Sequence, residues 1–361
     1  MVIKRFDTPP VPRSAPDESG SGGSWPTPTR GVFKTRDFHF DSGDTLDSLR
    51  LSYQTLGEKR YNTNGGVANA VLVLHGTGGS SKQFLTPIFA GVLFGAGGLL
   101  DARKNFIILR DGIGHGESSK PSDGLRGDFP QYGYRDMVRA DYLLLTQGLG
   151  VGHLRLVMGT SMGGMQSWLW GGMFPRFVDA VMPLASLPAQ IAGRNRMSRK
   201  MIIDSIKTDP EWKGGNYETQ PINGLRSALY VLTWMSSIPL QWQREAPTRD
   251  EADAFLDRRI ENALQQSDAN DLLFQVASSA DYDPKGLLDK IEAPLVAVNS
   301  ADDQVNPPEL RLLEEGIKMV RHGRAVVLPI SDETRGHGTH THAAIWQHEL
   351  RRLLEESGGL R

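Results

Sequence analysis

The sequence predicts an α/β protein, built on a mostly parallel, doubly wound sheet with a helical insertion, and three observations carry that prediction. Short runs rich in Val, Ile and Leu recur along the chain: LRLSYQTLG, AVLVLHG, NFIILRD, LRLVMG, VDAVMPLAS and, much later, PLVAVNS and AVVLPI. Several are nearly continuous in apolar residues, as strands covered on both faces must be. Amphipathic stretches such as YRDMVRADYLLLTQGLG lie between many of them, the pattern of strand-helix-strand crossovers. The alternation breaks between residues 187 and 280, where RNRMSRKMIIDSIKTDPEW, INGLRSALYVLTWMSSIPLQW and RDEADAFLDRRIENALQQSDANDLLFQVASSA read as helices with no strand between them.

In chain order, residues 1–30 are rich in Pro, Ser and Gly and lack periodicity, so they are expected to form a mobile arm. Residues 31–186 and 281–361 are expected to form the two parts of the core, and 187–280 a helical lid. A chain of 361 residues with 39% hydrophobic and 23% charged residues can bury a sizeable core. The formal net charge of -2, with Lys and Arg scattered, argues against a nucleic-acid or anionic-membrane surface. The absence of cysteine removes disulfides, thiolate nucleophiles and cysteine zinc sites. No apolar run reaches the roughly 18 residues of a membrane helix, and the N-terminus lacks the apolar core of a signal peptide. The chain as given therefore reads as cytoplasmic, with a removed export signal left open.

The chemistry is concentrated at LVMGTSMGGMQSW, residues 156–168. Gly159-Thr160-Ser161-Met162-Gly163 fits G-x-S-x-G between a strand and a helix, a sharp turn that lifts a serine hydroxyl above the sheet at a helix N-terminus. Serine needs a general base, and the base an orienting acid. Asp303 follows PLVAVNS ahead of Pro307 and Pro308, and His337 follows AVVLPI between two glycines. The order Ser161, Asp303, His337 is that of α/β-hydrolases. Neighbouring Asp302 reads as a cap or surface charge, and His340 and His342 as residues inside the helix that follows. The H-x-x-H-x-H spacing is not that of a zinc helix, so no metal is expected. The backbone N–H groups of Met162 and of Thr77, in LVLHGTGGSS, are the expected oxyanion donors. No phosphate-cradling glycine motif is present, and no cofactor is expected. His115 reads as a loop histidine, and Met165, Trp168 and Trp170 as core.

These motifs resemble the homoserine O-acetyltransferase group of the α/β-hydrolase fold. The resemblance rests on GDTLDSLRLSYQTLGE, on RDMV followed by GTSMGGMQ, and on IKTDPEWKGGNY with GLRSALYVLTW, and it covers almost all of the chain after the arm. It implies an α/β-hydrolase fold with a lid, Ser161, Asp303 and His337 as nucleophile, acid and base, and a homodimer formed through the lid. Three segments depart from the group. GIGHGESSKP stands where transferases carry an LGGCxGTTGP-like stretch, GHGTHTHAAIW replaces a GHDAF-like motif, and SDANDLLF replaces RFDANSYL. The departures favour a serine hydrolase acting on carboxylic esters of small or medium acyl groups, with acyl-CoA-dependent O-acyl transfer as the alternative. A scaffold without catalysis would predict a broken triad.

Overall fold

In the computed structural model, which describes residues 24–358, a single sheet is assembled from β1 Thr29–His39, β2 Thr45–Leu56, β3 Ala70–Leu74, β4 Phe106–Arg110, β5 Leu156–Thr160, β6 Val181–Leu184, β7 Leu295–Ser300 and β8 Gly323–Leu328. The order across the sheet is β1-β2-β4-β3-β5-β6-β7-β8. The first two strands form a hairpin, β2 runs antiparallel to β4, and every pairing beyond β4 is parallel. Every residue of β3, β4 and β5 is buried, which explains their unbroken apolar runs. Most of the arm expected at 1–30 lies outside the described residues, and β1 already begins at Thr29.

The helices are α1 Ala90–Leu93, α2 Tyr134–Leu143, α3 Met162–Met173, α4 Gly193–Lys207, α5 Ile222–Met235, α6 Pro239–Glu245, α7 Arg249–Gln266, α8 Ala269–Ala277, α9 Leu312–Ile317 and α10 Ala343–Glu356. Met137, Val138, Trp168 and Trp170 of α2 and α3 fill a core on one face of the sheet. Ala90, Leu93, Trp346 and Leu350 of α1 and α10 fill another on the opposite face. Helices α4 to α8 all fall between β6 and β7, so the insertion is helical throughout. Two of its three long helical stretches are broken by local signals. Pro239 opens α6 at a position where its missing N–H costs nothing, and the Asp268 side chain caps α8 by accepting from the Asp271 N–H.

Beneath the C-terminal ends of the central strands lies a buried polar cluster. Arg110, at the end of β4, is fully buried and places Nε 2.8 Å from Asp141 Oδ1 on α2. It also donates to the Gln166 side chain on α3 and approaches His75 Nε2 at 3.2 Å. Burial raises the Asp141 carboxyl, and the Arg110 charge and hydrogen bond oppose that rise. The His75 ring sits 4.9 Å from that of His115, and burial holds both below the ordinary imidazole value, His115 at about 4. His115 is thus a packed interior residue; its Nδ1–H donates to the Ile113 carbonyl at 2.9 Å.

Replacing Asp141 with Ala strands the Arg110 charge and should cost about 3–5 kcal/mol, measured by denaturant unfolding, while the apolar pair Arg110→Met with Asp141→Leu should cost less than the single change. The histidines act through pH. Their folded values lie below the unfolded value of about 6.5, so the unfolded chain takes up protons first and stability falls as pH drops from about 6.5 toward 4. Each contributes up to about 1.4 kcal/mol per pH unit in that window. His115→Gln should make the slope of unfolding free energy against pH shallower by that amount, and an unchanged slope would contradict the assignment.

Candidate active site

The turn from β5 into α3 places Ser161 at φ 54 and ψ -111, a conformation that a residue with a Cβ adopts only when its surroundings impose it. The surroundings here are backbone. A Cβ on Gly159 would lie 2.2 Å from the Gly163 carbonyl oxygen, and one on Gly163 would lie 2.0 Å from the Leu74 carbonyl oxygen. Only glycine lets α3 leave the sheet this close to β3 and β5. The Ser161 N–H donates to the Leu184 carbonyl of β6 at 2.9 Å, and its own carbonyl accepts from Met165. The side chain is thereby projected from the first position before α3.

From there a hydrogen-bonded line crosses the C-terminal edge of the sheet. Ser161 Oγ lies 2.8 Å from His337 Nε2, and His337 Nδ1 lies 2.9 Å from Asp303 Oδ2. The structure thus brings together three side chains separated by as much as 176 residues in sequence. Asp303 is fully buried beyond β7. Burial pushes its carboxyl up, but the His337 charge and hydrogen bonds from His337, Asn306 and the Val305 N–H outweigh that and hold it below the usual carboxylate value. Asn306 donates from both its backbone and its side chain, at 3.1 and 3.0 Å.

Asp302 is corrected by the structure. It is buried rather than a surface charge, and its carboxylate accepts from the Ser300 hydroxyl, from Thr334 Oγ1 at 2.9 Å and from the Gly336 N–H at 3.0 Å. It fixes the loop immediately before His337. The two later histidines are also displaced from their expected places. His340 lies in the short turn Gly336–Thr341, and His342 precedes the first residue of α10. The His340 ring stands edge-on to that of His337 at 5.5 Å, and burial, aided by the His337 charge, lowers its value to about 3. Among the described residues no group of three His, Cys, Asp or Glu side chains is gathered as a metal ion requires.

Thr77 lines the same cavity as Ser161, and Met162 is the next residue in the chain. Thr77 follows Gly76, where a Cβ would come within 3.4 Å of Ser161 Cβ, and Met162 is the first residue of α3. Neither N–H donates a hydrogen bond to another described residue. Gln83, not foreseen from sequence, braces this corner: its amide donates to Thr160 Oγ1 at 2.8 Å and its oxygen accepts from the Gly76 N–H at 3.3 Å. Ser161, His337, Thr77 and Gln83 open into a cavity of about 480 Å³ walled on the other side by lid residues, among them Leu229, Leu232 and Met235 of α5 and Arg199 of α4. His115 does not reach it, and Trp168 and Trp170 are core, as expected.

Comparison with known proteins agrees with this architecture. Residues 69–318 match the α/β hydrolase fold family. The homoserine O-acetyltransferase of Geotalea uraniireducens is 31% identical over 324 residues, covering 78% of this chain and 85% of that protein. Among solved structures, esterase E22 superposes with a TM-score of 0.78 at 20% identity, covering 91% of this chain and 100% of that one. The homoserine O-acetyltransferase of Bacillus anthracis superposes equally, with a TM-score of 0.78 at 19% identity over 92% of this chain and 98% of that one. The chain belongs to the α/β-hydrolase fold family, in the branch that contains the homoserine O-acetyltransferases.

Proposed function

We propose that this protein is a serine hydrolase that cleaves carboxylic esters of small or medium acyl groups. The observation that carries the reading is the unbroken line from Ser161 Oγ through His337 to Asp303, presented to a walled cavity. In the first half-reaction Ser161 Oγ attacks the ester carbonyl while His337 Nε2 takes its proton, and Asp303 holds the opposite ring nitrogen and stabilises the imidazolium. The negative charge that develops on the carbonyl oxygen faces the N–H groups of Thr77 and Met162, at the start of a helix whose dipole favours it. Collapse of the intermediate returns the proton from His337 to the departing alkoxide and leaves an acyl-serine. A water molecule, deprotonated by His337, then releases the acid and restores Ser161.

Acyl transfer to an alcohol shares the first half-reaction and differs only in what His337 activates next. The curated relatives named homoserine O-acetyltransferase favour that second reading. Water is preferred here because none of the described residues lining the cavity is Asp or Glu, so the ammonium of an amino-acid acceptor would meet no counter-charge.

We further propose that two copies of the chain associate through the lid. Met197 and Met201 on α4 and Tyr230 and Trp234 on α5 are spaced one turn apart and exposed by 40 to 69%, on helices packed against each other.

Ser161→Ala should lower kcat/KM for 4-nitrophenyl acetate about 10⁴-fold or more, and Asp303→Asn about 10³- to 10⁴-fold, in steady-state assays on folded variants. Acetyl-CoA with L-homoserine should release no CoA beyond the homoserine-free rate. Release that requires homoserine would replace water by an alcohol as acceptor without disturbing the roles of the three side chains. In sedimentation experiments the protein should behave as a dimer at micromolar concentration, and Trp234→Asp should give a monomer with unchanged far-ultraviolet circular dichroism.

A further inference from the structure

Arg199 stands apart from the other buried cation near the site. It lies on α4, only 5% exposed, and its side chain lines the same cavity as Ser161 and His337. Arg110, equally buried, has Asp141 beside it. Arg199 has no carboxylate within ion-pair distance among the described residues. Its Nε donates to Asn195 Oδ1 at 2.9 Å and its Nη1 to Ser279 Oγ at 3.2 Å, both neutral. Tyr134, the third polar group close to it, is neutral as well, since burial raises its phenol. A guanidinium carries five N–H donors in a planar fork suited to a carboxylate, and a buried charge surrounded only by neutral dipoles is costly to maintain without a counter-ion.

The rest of the cavity has the same bias. Arg259 of α7 also lines it, stacked 5.8 Å from the Trp242 ring and without an ion pair among the described residues. Two guanidinium groups and no Asp or Glu stand among the cavity's lining residues, a bias that favours an anionic ligand. To the same cavity the lid supplies Leu229, Leu232 and Met235, an apolar wall suited to a short aliphatic spacer.

Building on the ester-cleaving function proposed for Ser161, we propose that the preferred substrate is an ester that also carries a carboxylate, and that Arg199 receives that carboxylate. The carboxylate can belong to the acyl part, as in the half-ester of a dicarboxylic acid, or to the alcohol part, as in the acetate of a hydroxy acid. In either case Arg199 neutralises its own charge by binding substrate, and the interaction selects the reacting orientation.

The test uses two matched pairs of esters with acid release read by titration: monoethyl succinate against ethyl pentanoate, and 4-acetoxybutanoate against butyl acetate. The wild-type enzyme should prefer the anionic member of one pair about 10- to 100-fold in kcat/KM, and that pair tells which side of the ester bears the group. Arg199→Gln should bring the ratio within the pair close to one, and Arg199→Lys should keep part of it. The ratio is independent of the fraction of folded enzyme, and the wild-type preference is informative even if the Gln variant does not fold. Equal wild-type rates within both pairs, or a ratio untouched by Arg199→Gln, would overturn the inference. If cleavage of the neutral esters survives Ser161→Ala, the ester-cleaving function itself has failed; if cleavage depends on Ser161 but ignores charge, only the assignment of Arg199 has failed.

Discussion

The close approach of α3 to the central strands governs the geometry of the whole site. Ser161 occupies a backbone conformation that is unfavourable by itself, at φ 54, and it persists because the two ends of the turn are held independently. One end is β5, paired on both sides with β3 and β6, and the other is α3, whose Trp168 and Trp170 are buried completely. With both ends fixed in the core, the connecting residue has no relaxed alternative. The glycines at 159 and 163 permit the approach; the packing of α3 makes it obligatory. The direction of Ser161 Oγ, the proximity of Gly76 and the placement of the Met162 N–H all descend from this one arrangement.

The neighbouring electrostatics show that buried charges here are held in different ways. Arg110 and Asp141 neutralise each other within the core, tying β4 to α2. Asp303 keeps its charge through several donors at once, namely His337, Asn306 and the backbone N–H groups of Val305 and Asn306. Such a carboxylate suits the orienting role proposed for it beside His337. Arg199 is held by the neutral side chains of Asn195 and Ser279, with no carboxylate in ion-pair distance among the described residues. A structural cation would be expected to acquire a partner; one that faces a cavity with neutral neighbours is better understood as a binding group.

The parts of the site that could be read from sequence are those governed by local backbone. Ser161, Asp303 and His337 each follow an apolar strand and sit among glycines or before prolines, so turn chemistry announced them. The order of elements was legible for the same reason, because β3, β4, β5 and β7 are buried throughout and read as unbroken apolar runs. Strand β1 was not, since TRGVFKTRDFH is half exposed at the sheet edge and its pattern is weak. The roles of Asp302 and Gln83 depend on partners 34 and 77 residues away, which no local pattern encodes. Arg199 was hidden for a different reason: RNRMSRK reads as a basic helix surface, and only the packing of α4 against α5 and α8 turns that one arginine inward.

The lid therefore decides more than access. In the reaction proposed, the loops after the strand ends supply Ser161, His337 and Asp303, and these would serve equally whether water or an alcohol accepts the acyl group. Discrimination must come from the groups that the lid adds over them. Here α5 adds apolar surface, while Arg199 of α4 and Arg259 of α7 line the cavity with no Asp or Glu among the other lining residues. A zwitterionic amino acid would be attracted through one end and left unpaired at the other, whereas a simple carboxylate would satisfy the cavity without requiring a second charged site. That asymmetry links the choice of acceptor to the choice of substrate: the same lining that leaves an ammonium unpartnered leaves Arg199 in need of an anion. Both proposed preferences would rest on side chains of the inserted helices, above the loops that follow the strand ends.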